Sequence, residues 1–222
     1  MSEKAPPEFP AALDLVTRHK PRLKTQASRI KAAVCVILRN TDQGIEFLLM
    51  QRADHPNDPW SGQMAFPGGK VEKTDAGPKE AAMREAFEEV GIRLSEQQYV
   101  GQLNDLYGFK LDGVYVAHIA SFVFLLDEPV SIKHNYEVAD TVWLPLEYLE
   151  DPNNFMVYEN PRVNLLDIRD MPAIRINLDK GQILWGLSMR ILLLLYDVLE
   201  RPMTVLDEAT IKILRELEAN EH

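Results

Sequence analysis

The sequence has few of the residues that mark secreted, membrane-bound or nucleic-acid-binding proteins. Its single cysteine, Cys35, lies in the apolar run AAVCVIL, which excludes an intramolecular disulfide and favours a buried thiol. Lys and Arg number 24 against 34 Asp and Glu, a formal net charge of −10, so cations that could neutralise nucleic-acid phosphates are in deficit. The apolar run ILLLLYDVL is too short to cross a bilayer, and the N-terminus lacks the pattern of a secretory signal. These absences predict a cytoplasmic protein whose partners include neither nucleic acid nor a membrane.

What the chain does have is enough apolar sequence for a sizeable core, since 46% of its 222 residues are hydrophobic. Residues 1–29, rich in Pro and Lys, are predicted to be an appendage with a short helix near Ala11 to Arg18. Residues 30–200 are predicted to form the main domain, and residues 201–222 a helix packed on it. The apolar sequence beyond Gln182 either covers this domain or contacts a second copy in a homodimer, and both alternatives stay open.

Apolar runs predict a sheet with helices on both sides. IKAAVCVILRN and IEFLLMQR, separated by the turn-forming TDQG, predict two paired strands. Three later runs also predict strands: YVGQLNDLYG, VYVAHIASFVFLL and ADTVWLPL. PLEYLED predicts a short helix, and QILWGLSMRILLLLYDVLE a buried one. This order predicts an α/β fold, an α/β/α sandwich with a mixed sheet between helices.

One predicted helix, over residues 78–90, concentrates negative charge. Pro78 suits its first turn and Gly91 the left-handed residue that ends it. Three carboxylates of its second half fall within an arc of about 100°: Glu85, Glu88 and Glu89. The opposite side gathers Met83, Ala86, Phe87 and Val90. We therefore expect that apolar side to pack and the carboxylates to share one face.

Two explanations fit this crowding. Like charges at this spacing cost a helix a few tenths of a kcal/mol per pair. A bound divalent cation would offset this repulsion. Oxygen ligands without nearby Cys or His favour Mg²⁺ or Mn²⁺, and Mg²⁺ usually also binds substrate phosphates. The alternative is a solvated helix stabilised by an i, i+4 ladder of Glu80, Arg84 and Glu88. Gly68 and Gly69 favour the metal, because glycine lets the backbone approach a metal or phosphate closely.

The segment from Gly69 to Ile92 resembles the Nudix box of the Nudix hydrolases. That box reads Gly, five residues, Glu, seven residues, then Arg-Glu-U-x-Glu-Glu-x-Gly-U, where U is a bulky aliphatic residue. REAFEEVGI matches its second half except for Ala86 at the first U, and Gly69 is its opening Gly. Asp75 replaces the first Glu, and eight residues instead of seven separate it from Arg84. This departure is similar to the coenzyme A-directed branch of the family.

An upstream signature of that branch is also partly present. LLMQRA and FPGG resemble it, but Met50 replaces a Thr, Asn57 stands where a second Arg would be, and Gly62 comes one residue late. LWGLSMRILLLL is similar to the closing helix of the same branch. The resemblance therefore extends from about Lys31 to about Leu199.

The resemblance implies that water attacks a nucleoside diphosphate linkage with the help of Mg²⁺ or Mn²⁺. It implies metal ligation by Glu88, Glu89 and the carbonyl of Gly69, with Glu85 either a ligand or the base that activates water. Arg84 is expected to orient the carboxylates by ion pairing, as a member of the catalytic set.

Residues around the box are expected to complete the site. Asp75 either pairs with Arg84 or caps the helix, and Glu137 is either a distant catalytic carboxylate or a solvated residue. Substrate-binding candidates are Arg52, Gln63, Gly68 and Gly69. Candidates for stacking on a base are Trp60, Tyr107 and Phe109, whereas His118 is expected to pack within its strand.

The sequence thus predicts a Mg²⁺-dependent Nudix diphosphatase that cleaves coenzyme A-like nucleotides to a phosphopantetheine fragment and adenosine 3′,5′-bisphosphate. An alternative is the same chemistry on ADP-ribose, dinucleotides or nucleotide sugars. A Nudix module that senses a nucleotide without hydrolysing it is a third reading, although Glu85, Glu88 and Glu89 argue against it. Glu88→Gln is expected to remove most activity and leave the fold intact.

Overall fold

The computed structural model describes residues 9–42, 44–56, 60–108, 110–159 and 170–201. The predicted Asn57, Phe109 and residues 202–222 of the C-terminal helix lie outside these ranges, as do residues 1–8. The described α-helices are α1 (Phe9–Arg18), α2 (Pro78–Val90) and α3 (Gly186–Val198). Short 3-10 helices cover Glu96–Gln98, Leu146–Glu150 and Pro152–Asn154. None of the described helices is both long and apolar enough to cross a membrane.

The described strands form two sheets. Nine strands form the main sheet: β1 (Ser28–Thr41), β2 (Gly44–Arg52), β3 (Met64–Ala65), β4 (Gly68–Lys70), β5 (Tyr99–Gln102), β6 (Leu106–Tyr107), β7 (Lys110–Leu111), β8 (Val114–Leu126) and β9 (Val138–Pro145). Three more form a small antiparallel sheet: β10 (Phe155–Glu159), β11 (Asp170–Asn177) and β12 (Gln182–Trp185). The predicted strands and the short helix at 146–150 are confirmed, although the run YVGQLNDLYG is divided into β5 and β6. The sequence analysis does not predict β3, β4, β7, β10 and β11.

Strand β1 lies in the middle of the main sheet. It runs antiparallel to β2 and β4 on one side and parallel to β8 on the other, so the sheet is mixed as predicted. Residues facing one side of β1, Ala33, Cys35 and Ile37, pack with α2, while Val36 and Leu38 pack in the core that contains α3. Helices therefore cover both faces of the sheet, which confirms the predicted sandwich.

The N-terminal helix is tied closely to this core. Ala12 and Val16 are buried, and Gly101 of β5 approaches the backbone of Val16 so closely that a Cβ at Gly101 would lie 2.7 Å from its carbonyl oxygen. The predicted helix is thus confirmed with bounds Phe9–Arg18, while the division into appendage, domain and C-terminal helix stays a prediction. Cys35 is buried as predicted, and burial raises the pKa of its thiol.

The predicted helix over 182–200 is wrong at its start. Gln182–Trp185 pairs with β11 as strand β12, and α3 begins at Gly186. Residues of β12 alternate between buried and half-buried, the period of a strand, before a left-handed glycine with φ +61 turns the chain. Leu192 and Leu195 of α3 are fully buried in the core, so this part of the apolar tail covers the sheet.

Candidate active site

Helix α2 has the predicted bounds and packs through small residues. Pro78 lies in its first turn, and Gly91, with φ +73, ends it. The residues it buries against the sheet include Ala81, Ala82, Ala86 and Val90. Because alanines allow close approach, the helix backbone lies near β1 and near Gly68 and Gly69 at the start of β4. This pair of glycines is called the glycine turn below.

The predicted orientation of α2 is wrong in one respect. Phe87, expected on the packed side, is 44% exposed and lies under the Arg93 guanidinium at 4.1 Å. Glu89, expected on the carboxylate face opposite the packed side, is only 2% exposed. The alanine stripe determines the buried face, because the space above the sheet admits methyl groups more readily than a phenyl ring. The carboxylate side of the helix therefore partly coincides with its buried side.

Glu89 is a buried carboxylate that contacts the glycine turn. The backbone N–H of Gly68 donates a hydrogen bond to Glu89 Oε2 at 2.8 Å. Burial raises the pKa of the Glu89 carboxyl to about 8, opposed by this hydrogen bond and reinforced by the charge of Glu85. The charge of Arg52 lowers the pKa of Glu89, and the charge of Glu137 raises it.

Gly68 occupies a position that only glycine can fill. Its φ of +156 lies in the region that other residues avoid, and a Cβ would lie 2.3 Å from the carbonyl oxygen of Ala33 and 2.6 Å from Cα of Val34. Gly68 pairs with Val34 in the β4–β1 ladder, so the glycine lets two backbones meet under Glu89. This close contact explains why the first glycine of the FPGG motif, Gly68, cannot be another residue.

Gly69 makes room for Glu85. A Cβ on Gly69 would lie 2.4 Å from Glu85 Oε1, so the carboxylate rests directly against the Gly69 backbone. Burial raises the pKa of Glu85, the hydrogen bond from Arg84 opposes this rise, and the charges of Glu88 and Glu137 add to it. The carboxylates of Glu85 and Glu89 thus both border the glycine turn.

Gly69→Ala is expected to lower kcat/KM by about 100-fold, the effect of a misplacement near 1 Å at a reacting centre. The added methyl group displaces the flexible end of Glu85 and leaves the backbone in place, so the free energy of unfolding should change little. Steady-state kinetics and urea unfolding of the same preparation measure the two effects. Gly108→Ala is the control, since its Cβ meets neighbours only at 3.6 Å or more. Full activity of Gly69→Ala would show that the position of Glu85 is unimportant.

Arg84 connects the carboxylates. Its guanidinium pairs with Asp75 through Nε at 3.0 Å and Nη2 at 3.1 Å, and its Nη1 reaches Glu85 at 2.9 Å and Glu88 at 3.0 Å. Nη2 also donates to the carbonyl of Lys70 at 3.1 Å. This bidentate hydrogen bonding to Arg84 lowers the pKa of Asp75. The ion-pair alternative for Asp75 is therefore confirmed.

The capping alternative for Asp75 is wrong. The N-cap residue of α2 is Gly77, and the carboxylate of Asp75 instead accepts the backbone N–H of Glu72 at 2.8 Å. Glu88 lies at the outer rim of the cluster, with its side chain 50% exposed. The ion pair between Arg84 and Glu88, one half of the predicted surface ladder, is thus present. The same helix also carries the buried carboxylate of Glu89, which a purely solvated helix would not have.

The loop ahead of β9, which carries Glu137, is attached to the end of α2. The backbone N–H groups of Lys133 and Asn135 donate to the carbonyls of Val90 at 3.0 Å and Glu89 at 3.1 Å, which attaches the loop to the end of α2. The Asn135 side chain accepts the N–H of Glu137 at 2.8 Å. Glu137 is exposed, yet its charge acts on both Glu85 and Glu89. The sequence analysis does not predict Asn135, whose only signal was its place two residues before Glu137.

Arg52 and Gln63 lie on the helix α2 side of the sheet. Alternate residues of β2, Leu48 and Met50, pack in the α2 core, and Arg52 follows in the same phase. The N–H of Arg52 donates to the carbonyl of Gln63 at 3.0 Å, so the two residues are cross-strand neighbours. The structure thus brings these two substrate-binding candidates together at the end of β2, where the charge of Arg52 acts on Glu89.

Of the stacking candidates, Trp60 is 44% exposed, whereas Tyr107 is fully buried against Tyr115 with ring centroids 4.1 Å apart. The expectation that Tyr107 stacks on a base is therefore wrong. His118 packs in its strand as predicted, with Nε2 2.9 Å from Asp105 Oδ2.

The donors at the turn fit a hard divalent cation. Within the described ranges, no three Asp, Glu, His or Cys side chains are arranged to hold a metal by themselves. Mg²⁺ does not need such a set, because it is usually held by one or two carboxylates, waters and substrate phosphates. Glu85, Glu89 and the carbonyl of Gly69 offer oxygen donors, and the absence of a side chain on Gly69 leaves room for the Glu85 carboxylate.

Comparison with known proteins gives a consistent family match. A family model described as NUDIX domain matches residues 29–162. A protein of Schizosaccharomyces pombe named as a probable nudix hydrolase is 29% identical over 161 residues, covering 72% of this chain and 53% of its own length. NudL of Yersinia enterocolitica, named as an uncharacterized Nudix hydrolase, is 33% identical over 149 residues, covering 65% and 69%.

A solved structure shows the same fold. The MutT/nudix family protein from Enterococcus faecalis superimposes with a TM-score of 0.55 at 16% identity, covering 85% of this chain and 69% of that one. The chain spans about half the length of two Schizosaccharomyces pombe relatives that it matches, 53% of one and 47% of the other.

Proposed function

Since this chain belongs to the Nudix family, we propose that it is a Mg²⁺- or Mn²⁺-dependent diphosphatase that cleaves coenzyme A-like nucleotides. The products are a phosphopantetheine fragment and adenosine 3′,5′-bisphosphate. The observation that carries the proposal is that the carboxylates of Glu85 and Glu89 both contact the Gly68–Gly69 segment. Burying a carboxylate such as Glu89 is costly unless a partner offsets its charge, and a cation beside a diphosphate would do so.

Each residue has a proposed task. A divalent cation, when bound, would stabilise negative charge on the phosphoryl oxygens. Glu85, Glu89 and the carbonyl of Gly69 would hold it, with Glu88 completing the set from the rim. Arg84 fixes Glu85 by its ion pair.

The remaining charged and polar groups act on water and substrate. Glu85 or Glu137 would accept the proton of the attacking water, because Glu85 lies against Gly69 and the charge of Glu137 acts on Glu85. Arg52 and Gln63 would bind the phosphates from the sheet side. Gly68 supports this arrangement by holding Glu89 through its N–H.

The preference for coenzyme A rests on Asp75 and the extra residue that precedes Arg84. Despite that residue, Asp75 makes a bidentate pair with Arg84, so the departure from the general box forms an ordered part of the site. LLMQRA adds to this preference, since it places Arg52 on the α2 side of the sheet.

A substrate panel tests the proposal. With Mg²⁺ present, coenzyme A should give adenosine 3′,5′-bisphosphate, detected by chromatography, and excess EDTA should abolish the product. ADP-ribose, NADH and a capped dinucleotide are assayed alongside. Turnover of one of these but not of coenzyme A would replace the substrate with the alternative class and keep the chemistry. Nucleotide binding without turnover of any member would favour the sensing module.

A further inference from the structure

Tyr136 is an exposed aromatic residue held beside the carboxylates. It is 85% exposed, more than any other large apolar side chain in the part of the chain that the structure describes. An aromatic ring in water forfeits the burial that normally stabilises it, so its position on the surface calls for an explanation.

The backbone around Tyr136 is fixed on both sides. The backbone N–H of Asn135 donates to the backbone carbonyl of Glu89. The backbone N–H of Glu137 donates to the side-chain oxygen of Asn135. The carbonyl of Glu137 accepts the N–H of Ala53 at 2.8 Å, which joins the loop to the end of β2. The ring therefore projects from an anchored segment between two residues of the site.

The neighbouring Glu137 carboxylate raises the pKa of the Tyr136 hydroxyl. The charge of Glu137 acts in turn on Glu85 and Glu89. The chain segment joined to Glu137 bears Arg52, the phosphate-binding candidate. A diphosphate at the glycine turn would thus place its attached nucleoside within the neighbourhood of this ring.

We propose that Tyr136 is a substrate-recognition residue whose ring stacks on the nucleobase of the nucleoside diphosphate substrate. This inference rests on the proposed function for the position of the diphosphate. Stacking suits such a ring, since every base offers an apolar face and a tyrosine presents a flat one without further ordering. It would give the site a preference for nucleotides over diphosphates that lack a base.

Calorimetric titration with ADP and with inorganic pyrophosphate, both in Mg²⁺, tests the proposal. Tyr136→Ala should weaken ADP binding roughly 5- to 100-fold, the range of base–aromatic stacking, and leave pyrophosphate binding unchanged. Tyr136→Phe keeps the ring and should bind ADP within about 2-fold of the parent protein. Phe87→Ala is the matched control, because it removes another exposed ring, one that packs on Arg93.

The outcomes separate this inference from the proposed function. Unchanged ADP affinity in Tyr136→Ala overturns stacking, as does an equal loss of pyrophosphate binding, which would indicate an effect through Glu137. Failure of the parent protein to bind ADP overturns it as well. If the parent protein binds ADP but hydrolyses no compound of the substrate panel, the diphosphatase proposal fails. The stacking proposal is then decided by the ADP affinities of the parent protein and Tyr136→Ala.

Discussion

Glu89→Gln is expected to lower kcat by on the order of 10²–10³-fold, the loss typical of removing one group that stabilises transition-state charge. The amide keeps the size of the side chain and an oxygen that can accept the Gly68 N–H, but it supplies no charge for a cation. Burial already disfavours the charged carboxylate, so the neutral amide should leave the metal-free free energy of unfolding within about 1 kcal/mol.

Thermal unfolding with and without Mg²⁺ adds a readout besides activity. A ligand that binds only the folded state raises the melting temperature, so the parent protein should be stabilised by millimolar Mg²⁺ and Glu89→Gln much less. Glu80→Gln is the matched control, since Glu80 lies on the same helix and is exposed. Near-normal turnover by Glu89→Gln together with an undiminished Mg²⁺ shift would rule out Glu89 as a ligand.

Gly68→Ala is expected to destabilise the protein by roughly 3–5 kcal/mol, a combination of backbone strain and overpacking. The new methyl group meets backbone atoms of Ala33 and Val34, which cannot move without disturbing the β4–β1 ladder. Urea unfolding followed by circular dichroism should show a lower midpoint with an unchanged slope.

Gly113→Ala isolates the backbone contribution. Gly113 has φ +75 but nothing within 4 Å of its added Cβ, so its substitution should cost only about 1–2 kcal/mol of left-handed strain. Equal destabilisation by the two variants would mean that the close approach at Gly68 contributes nothing. Because the N–H of Gly68 holds Glu89, any folded Gly68→Ala protein should also lose activity.

Local patterns were sufficient for most elements of the main sheet. The strand Val114–Leu126 and helix Pro78–Val90 follow from an unbroken apolar run and from proline and glycine at the helix ends. The pattern failed at Gln182–Trp185, where a strand and a helix meet in one apolar run and composition alone does not separate them. Strands β10 and β11 depend on pairing with each other, which no local signal contains.

Most residues of the candidate site could also be predicted from the sequence. The spacing of Gly69, Arg84, Glu85 and Glu89 reflects a box whose parts lie close along the chain. Its internal contacts, such as the pair between Arg84 and Asp75, arise within about two turns of helix and one short loop. Their roles in catalysis stay predictions until the variants are measured.

The sequence by itself thus determined the family, the order of the main elements and the acidic box, because hydrophobic period and motif spacing are local properties. Only the tertiary structure decided that Glu89 is buried and that Phe87 and Tyr136 are exposed. The rotation of α2 depends on how closely its alanines approach β1, and the loop of Tyr136 depends on carbonyls at the helix end. Both result from contacts between segments distant in sequence, and such contacts leave no periodic trace in the chain.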